Sequence, residues 1–244
     1  WMLGFPDQAL AHNREALALA RVAYTPAQVL SLSGALIAVH ALGRRVERVR
    51  ECTEQLQRLV AAKSLAALRP WVTFYQGWLL VHGQANQAAA GVAQMRAAMS
   101  SLQAIRPYRL ALLAEACLLS GEIEAGGQAV DEALALVTRT GARSGESEMH
   151  RLRGDVFLKE DGKQQAKEAE ACFQRAIEIA RQQEAKLWEL RATVSLARLW
   201  ADQGRRDEAH ARLAEVYHWF TEGFDTPDLV AAKALLVELG GSAG

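Results

Sequence analysis

Apolar positions along this chain fit helices, since no window shows the alternating, β-branched pattern of a strand. Ala, Leu, Glu, Gln and Arg, which are good helix formers, dominate the sequence. Helix-breaking residues recur and leave helices of about 12 to 20 residues. These residues are Pro6, Pro26, Pro70, Pro107 and Pro227, and glycines such as Gly43, Gly121, Gly141 and Gly204. The pattern predicts an all-α protein.

A pair of positions recurs about every 40 residues, a period typical of stacked helical repeats. In the first helix of each expected hairpin, a small residue is followed three positions later by a larger one. A small residue lets two helix backbones approach, and the larger one fills the adjoining groove. The recurrence therefore predicts stacked helical hairpins. The pairs are Gly34 and Ile37, Gly77 and Leu80, Ala114 and Cys117, Gly154 and Phe157, and Ala197 and Trp200.

The second helix of each hairpin has its own pattern: a small residue, a large one four positions on, and a small or apolar one three positions later. The pattern recurs at Ala169, Phe173 and Ala176, at Ala209, Leu213 and Val216, and more weakly at Gly126, Val130 and Ala133 and at Val49, Thr53 and Leu56. In the hairpin at about 66–104, a start at Ala89 puts Arg96 where a small residue is expected. The register there stays open.

These patterns predict one helical-repeat domain over residues 1–244. Its parts are a partial repeat at 1–24, hairpins at about 26–64, 66–104, 106–141, 146–184 and 186–220, and a capping helix at 226–239. Pro227 at the first helical position and Asp228 in the first turn are typical of a helix start. Residues 4–10 have the character of the turn and second helix of a repeat, so we expect the sequence to begin inside an array.

The repeat resembles the tetratricopeptide pattern, W-x2-L-G-x2-Y in one helix and A-x3-F in the next, with a spacing nearer 40 than about 34 residues. The runs 187–192, 195–200, 203–209 and 219–229 are more specific. They resemble the C-terminal tetratricopeptide region of large bacterial proteins that carry a class III nucleotide cyclase domain and an AAA-type ATPase module. The likeness is best over about residues 146–236. It implies a right-handed superhelix with a concave binding face, and catalysis in other domains, since no G-x4-G-K-[ST] loop occurs here.

Charge and cysteine content narrow the classes of partner. The chain has 28 Lys and Arg against 28 Asp and Glu, so no basic field favours nucleic acid. Cys52, Cys117 and Cys172 are odd in number and far apart, which indicates neither a metal motif nor a disulfide framework and favours the cytoplasm. The apolar runs are too short to cross a bilayer, so no membrane partner is expected.

No residue pattern indicates catalysis, a cofactor or a metal. His210 and His218, the closest pair of histidines, are eight positions apart and form no H-x3-H motif. Cys117 and Cys172 fall on packing positions, and no serine lies in a nucleophile motif. We therefore expect no catalytic, cofactor-binding or metal residue, and assign no binding residue.

The tryptophans and two local clusters have alternative interpretations. Trp71 and Trp78 lie seven positions apart on one helix face, and Trp188, Trp200 and Trp219 lie in the last third; they either pack helices together or form an aromatic binding surface. Arg44, Arg45, Arg48 and Arg50 alternate with glutamates and predict a solvated helix face. The glycine-rich run 141–146 predicts a turn between repeats, with Ser144 or Ser147 capping the next helix.

Three functions are compatible with this sequence. The leading hypothesis is a non-catalytic protein-interaction or regulatory module, which binds a partner protein or peptide or acts on the parent protein's own catalytic domains. The first alternative is a small-molecule-sensing repeat domain of a transcription-activator type ATPase; the second is self-association through an open N-terminal end. A deep aromatic pocket would favour sensing, whereas a shallow groove lined by polar side chains would favour peptides.

Overall fold

A computed structural model describes residues 1–23, 36–62, 65–83, 85–101, 106–162 and 164–241. Gly34 and Pro26 lie outside these ranges. Within them the chain is all-helical and has no strand, so the predicted fold class is confirmed at this level. The helices are α1 (Pro6–Ala23), α2 (of which 36–42 are described), α3 (Val46–Ala62), α4 (Arg69–Gly83), α5 (Ala88–Met99), α6 (Arg106–Ser120), α7 (Ile123–Thr140), α8 (Glu146–Asp161), α9 (Ala166–Gln182), α10 (Lys186–Asp202), α11 (Arg206–Tyr217) and α12 (Pro227–Gly240).

Consecutive helices pack as hairpins. The pairs are α4 with α5, α6 with α7, α8 with α9, and α10 with α11. The first helices of successive hairpins also meet, since α4 contacts α6, α6 contacts α8, and α8 contacts α10. These contacts place α4, α6, α8 and α10 along one side, the inner face. Helix α12 closes the stack against α10 and α11. This arrangement is that of an α-solenoid.

The small positions of the repeat allow close helix contact at two hairpins. A Cβ built on Gly77 of α4 would lie 2.6 Å from the carbonyl oxygen of Gly91 on α5, and one built on Gly91 would lie 2.5 Å from that of Gly77. In α8, Gly154 lies directly against the ring of Phe173 from α9. The packing role predicted for Gly77, Gly154 and Phe173 is confirmed.

The register of the predicted hairpin at about 66–104 differs from a start at Ala89. The buried positions of α5 include Ala88, Val92 and Met95, whereas Ala89 and Arg96 are exposed. A 3-10 turn, Ala85–Gln87, precedes α5. The burial pattern therefore starts one residue earlier, and Met95 takes the position at which Arg96 had been expected.

The start of α8 corrects a second detail. Gly145 is the residue that precedes α8, and no side chain caps the helix there. The hydroxyl of Ser147 is buried and donates to the carbonyl of Ala176, 2.8 Å away on α9. The prediction of a serine cap is wrong, because Ser147 joins two helices instead.

No helix in the described ranges combines the length and apolarity needed to span a membrane.

Candidate functional site

Seven charged side chains from five elements meet at the inner face and form what we call the central charge cluster. Three are arginines and four are carboxylates, in a region where most neighbours are apolar and buried. The members are Arg44 from the turn after α2, Glu115 from α6, Glu148, Arg151 and Asp155 from α8, Arg191 from α10 and Asp228 from α12.

Arg191 is the most fully engaged member of the cluster. Its Nε and Nη2 atoms each lie 2.8 Å from one oxygen of Asp228, which makes a bidentate pair. Its Nη1 atom lies 3.5 Å from Glu148, and Nη2 also donates to the carbonyl of Leu42. Only 5% of the Arg191 side chain and 3% of the Asp228 side chain are exposed. Bidentate, desolvated pairs of this kind are the strong ones, and their geometry is specific.

Arg151 and Arg44 extend the cluster on either side. Arg151 donates to both oxygens of Glu148, at 2.9 and 2.7 Å, and to Asp155 at 2.5 Å. Arg44, whose backbone φ is 52°, donates through Nε to Glu115 at 3.1 Å and through Nη1 to Asp228 at 3.2 Å. The cluster therefore joins the turn between α2 and α3 to α12.

Burial and the neighbouring charges shift the pKa values of two carboxylates of the cluster, Glu115 and Asp155, in opposite directions. Burial acts to raise the pKa of Glu115, but the nearby guanidinium groups of Arg44, Arg191 and Arg151 outweigh it and lower the pKa to about 2. For Asp155 burial is the larger effect and raises the pKa despite Arg151. Glu115 is therefore a fixed anion at neutral pH.

The predicted solvated face around Arg44 is only partly correct. Arg48 pairs with Glu51 at 2.7 Å and Arg50 with Glu47 at 3.5 Å, all on the exposed side of α3. Arg44 instead enters the central charge cluster from the turn between α2 and α3, where its backbone is left-handed. No local sequence signal indicates this, since the partners lie 71 and 184 positions away.

A small cavity of about 70 Å³ adjoins the cluster. Its polar lining comes from Arg44, Arg151, Arg191, Arg198, Ser195 and Asp228. The guanidinium groups of Arg44, Arg151 and Arg191 already bind carboxylates. An anion that entered the cavity would have to compete with those carboxylates, so the cavity supports a structural role for the cluster.

A larger and open depression, the terminal cleft, lies where α9, α10 and α11 meet the start of the chain. Its volume is about 730 Å³. A second depression of about 440 Å³, bounded by the same three helices, shares Arg181 with it. The terminal cleft is lined by Leu3, Phe5, Arg181, Glu184, Lys186, Glu189, Glu215, Val216 and Trp219.

Charged side chains form one wall of the terminal cleft. Glu189 accepts hydrogen bonds from Arg181 at 2.6 Å and from Lys186 at 2.8 Å, and Arg181 also reaches Glu215 at 3.4 Å. Burial acts to raise the pKa of Glu189, but these hydrogen bonds and positive charges hold the pKa below its ordinary value. Val216 and Trp219 add apolar surface, so the terminal cleft offers both charged and apolar contacts.

The predicted tryptophan set divides between packing and the terminal cleft. Trp78 is fully buried and Trp71 lies under the guanidinium of Arg109, while Trp188 packs edge-on against Trp1 with ring centroids 5.2 Å apart. The indole of Trp200 donates to Glu170 at 2.8 Å. These four pack helices together. Trp219 is 39% exposed and lines the terminal cleft.

The cysteines and histidines form no reactive arrangement in the part of the chain that the structure describes. Burial raises the pKa of Cys52, Cys117 and Cys172, so each thiol is further from its nucleophilic form than an ordinary cysteine. Across the described residues, no group of His, Cys, Asp and Glu is placed to hold a metal ion. His210 and His218 lie on α11 and just after it, outside both the cluster and the cleft.

Comparison with known proteins does not add to this picture. No protein-family model matches the chain. No curated protein matches it at a significant level. The terminal cleft and the central charge cluster are therefore the two features of the molecule that bear on its function.

Proposed function

We propose that this chain is a non-catalytic, tetratricopeptide-like module that binds a segment of a partner protein in its terminal cleft. The wider setting follows from the family resemblance alone: the module would regulate an attached cyclase or ATPase, or bring a partner to it. The all-α stack of hairpins supports a non-catalytic binding module, since solenoids present long grooves and not enclosed catalytic pockets.

The openness of the terminal cleft carries the proposal. Small-molecule sites are usually concave, mostly apolar and able to bury most of the ligand. The terminal cleft is instead open, and one of its walls carries the charged side chains of Arg181, Lys186, Glu189 and Glu215. Paired charges beside apolar surface suit a peptide, which presents backbone groups and side chains of both kinds.

The inner face is less available than the tetratricopeptide resemblance implies. Its centre is filled by the central charge cluster, and the carbonyl of Leu42 and the side chain of Arg44 lie against it. A partner would have to break desolvated ion pairs to enter there. The terminal cleft is open without that cost, so we place the partner on the cleft.

Helix α10 offers a route from binding to regulation. Glu189 faces the terminal cleft, and Arg191, two positions on, holds Asp228 and Glu148 in the central charge cluster. A partner that draws Arg181 or Lys186 away from Glu189 changes the environment of the helix that holds the cluster. Coupling of this kind requires two packings of α10 that the partner stabilises unequally.

A peptide-display selection against the full chain tests the binding proposal. Selected peptides are measured against wild type, Glu215→Lys in the cleft, and Glu124→Lys, an equally charged change on the exposed side of α7. We expect Glu215→Lys to weaken binding at least tenfold and Glu124→Lys to leave it unchanged. Peptides that bind both variants as tightly as wild type, or a selection that yields no binder, would contradict the proposal. Binding of small metabolites alone would support sensing instead.

A further inference from the structure

The first eight residues, here called the N-terminal strap, dock on the C-terminal end of the array. Trp1 packs against Trp188 of α10, and Phe5 packs against Trp219 with ring centroids 5.6 Å apart. The backbone N–H of Leu187 donates to the carbonyl of Met2 at 3.1 Å. The strap therefore uses two aromatic anchors, four positions apart, on a face formed by α10, α11 and residues 218–223. We call this face the strap-binding face.

A glutamate from the strap-binding face caps α1, the helix that begins within the strap. The first N–H groups of any α-helix lack partners within the helix. In α1, the N–H groups of Asp7 and Gln8 donate to Glu222 Oε1 at 2.9 and 3.1 Å, and the Gln8 amide donates to Oε2 at 3.1 Å. In return, the N–H of Gly223 donates to Asp7 at 3.1 Å. These bonds recognise a helix start that carries a short acidic side chain.

Two glycines fit the surfaces together. Gly4 has φ of +95°, and a Cβ built there would lie 2.5 Å from the ring of Trp219. Gly223 has φ of +73° and lies directly against the ring of Pro6. Both conformations favour glycine, and neither position has room for a side chain. The contact is therefore selective for shape as well as for charge.

The strap nevertheless leaves part of its apolar surface exposed. Gly4 and Pro6 are buried, but Met2 is 37% exposed and Leu3 is 54% exposed. The terminal cleft continues beside Leu3 and Phe5 without being filled by them. A segment whose apolar side chains are partly exposed opens at a lower free-energy cost than the buried core does. The strap-binding face thus holds an occupant that does not use all of the available surface.

From these contacts we infer that the strap-binding face recognises one kind of peptide: two aromatic residues four positions apart, then Pro and an acidic residue at the start of a helix. The N-terminal strap occupies the face in cis, and a partner segment with the same chemistry displaces it and reaches further into the terminal cleft. This inference rests on the proposed function, and names the partner's chemistry.

An exchange experiment with the full chain tests the inference. The probe is an acetylated, C-terminally labelled peptide that copies residues 1–14, and fluorescence anisotropy reports its binding. Trp1→Ala combined with Phe5→Ala weakens the strap in cis, so we expect this double variant to bind the probe at least tenfold more tightly than wild type does. A second variant, Asp7→Ala with Gln8→Ala, keeps the aromatics and should also bind the probe more tightly than wild type, though by less.

Two controls define specificity. A probe with Phe5→Ala should lose binding, and Glu222→Gln placed in the double variant should weaken binding of the unaltered probe several-fold. Circular dichroism melts verify that each variant folds. Failure of the probe to bind either folded variant, or equal binding to wild type and variants, overturns the inference. If display-selected peptides still depend on Glu215 in that case, the proposed function stands and only the identity of its partner segment is wrong.

Discussion

The hairpin of α4 and α5 and the central charge cluster hold the same array together by different means. In the hairpin, Gly77 and Gly91 bring two backbones together among apolar side chains such as Trp78 and Met95. In the cluster, Arg191 and its neighbours hold together five elements through paired charges. Apolar packing tolerates changes that preserve volume, whereas a buried ion pair does not tolerate loss of one partner.

The contrast also separates local from long-range order. The hairpin joins residues close in sequence, so its contacts stabilise neighbours. The cluster joins Arg44 to Asp228, 184 positions apart, and with it the turn between α2 and α3 to α12. We therefore expect cluster changes to affect the array as a whole, and hairpin changes to act first on one unit.

The largest effect is expected for Arg191→Met. The change leaves the buried carboxylate of Asp228 without its bidentate partner and removes the 3.5 Å contact to Glu148, which costs about 3 to 5 kcal/mol of unfolding free energy. Urea unfolding measures it. Arg198→Met, on the same helix but exposed, is the matched control and should change stability by less than about 1 kcal/mol. Similar losses of unfolding free energy for both variants would show that the cluster contributes no more to stability than an exposed arginine of α10 does.

A smaller effect is expected for Gly77→Ala. The added Cβ would lie 2.6 Å from the Gly91 carbonyl oxygen, so α4 and α5 must separate, at about 1 to 3 kcal/mol. Gly83→Ala, at the exposed end of the same helix, should be neutral or stabilising by up to about 1 kcal/mol, since alanine favours helix. Thermal unfolding followed by circular dichroism distinguishes them. Equal behaviour of the two variants would contradict the close contact.

Acid should weaken the cluster through Glu115. Its pKa is lowered from 4.5 to about 2 in the folded chain, so the stability it contributes is present above its ordinary pKa and is lost as pH falls towards about 2. Asp155 acts in the opposite sense because its pKa is raised. Urea unfolding at a series of pH values should show a steeper acid loss in wild type than in Glu115→Gln. Parallel curves would show that Glu115 does not titrate in this way.

The smallest effect is expected for Arg175→Ala. Arg175 pairs with Glu178 at 3.1 Å on the exposed side of α9, where both side chains are about half exposed or more. Exposed pairs of this kind contribute about 0 to 1 kcal/mol. Urea unfolding should place this variant within about 0.5 kcal/mol of wild type. A loss comparable with that of Arg191→Met would remove the distinction between surface pairs and the cluster.

The sequence predicts the local order of this protein well and the long-range order poorly. Gly77, Gly154 and Phe173 are recognisable because helix packing imposes a short, regular spacing. The shift from Ala89 to Ala88 is harder to see, because it depends on the 3-10 turn before α5. Arg44 and Glu222 carry no sequence signal at all: an arginine between charged neighbours and an acidic residue in a loop both resemble solvated groups.

The terminal cleft shows the same limit. Trp219 belongs to the set of five tryptophans that the sequence singles out. The other four pack helices together, so a role in an aromatic binding surface stays a prediction for Trp219. Phe5 and Leu3 reach the cleft only because the N-terminal strap folds back over more than 200 positions. Spacing patterns reflect contacts within a helix or between neighbouring helices. They therefore cannot predict that the N-terminal strap contacts residues more than 200 positions away.

Hydrogen exchange of the full chain, with and without a display-selected peptide, tests the central claim most directly. If the module binds partner segments in the terminal cleft, the peptide should slow exchange in the C-terminal turn of α9, the start of α10 and the end of α11. It should leave α4 and α5 unchanged. Protection confined to α4 and α5, or to α6 and α7, would contradict the account and place the binding surface elsewhere.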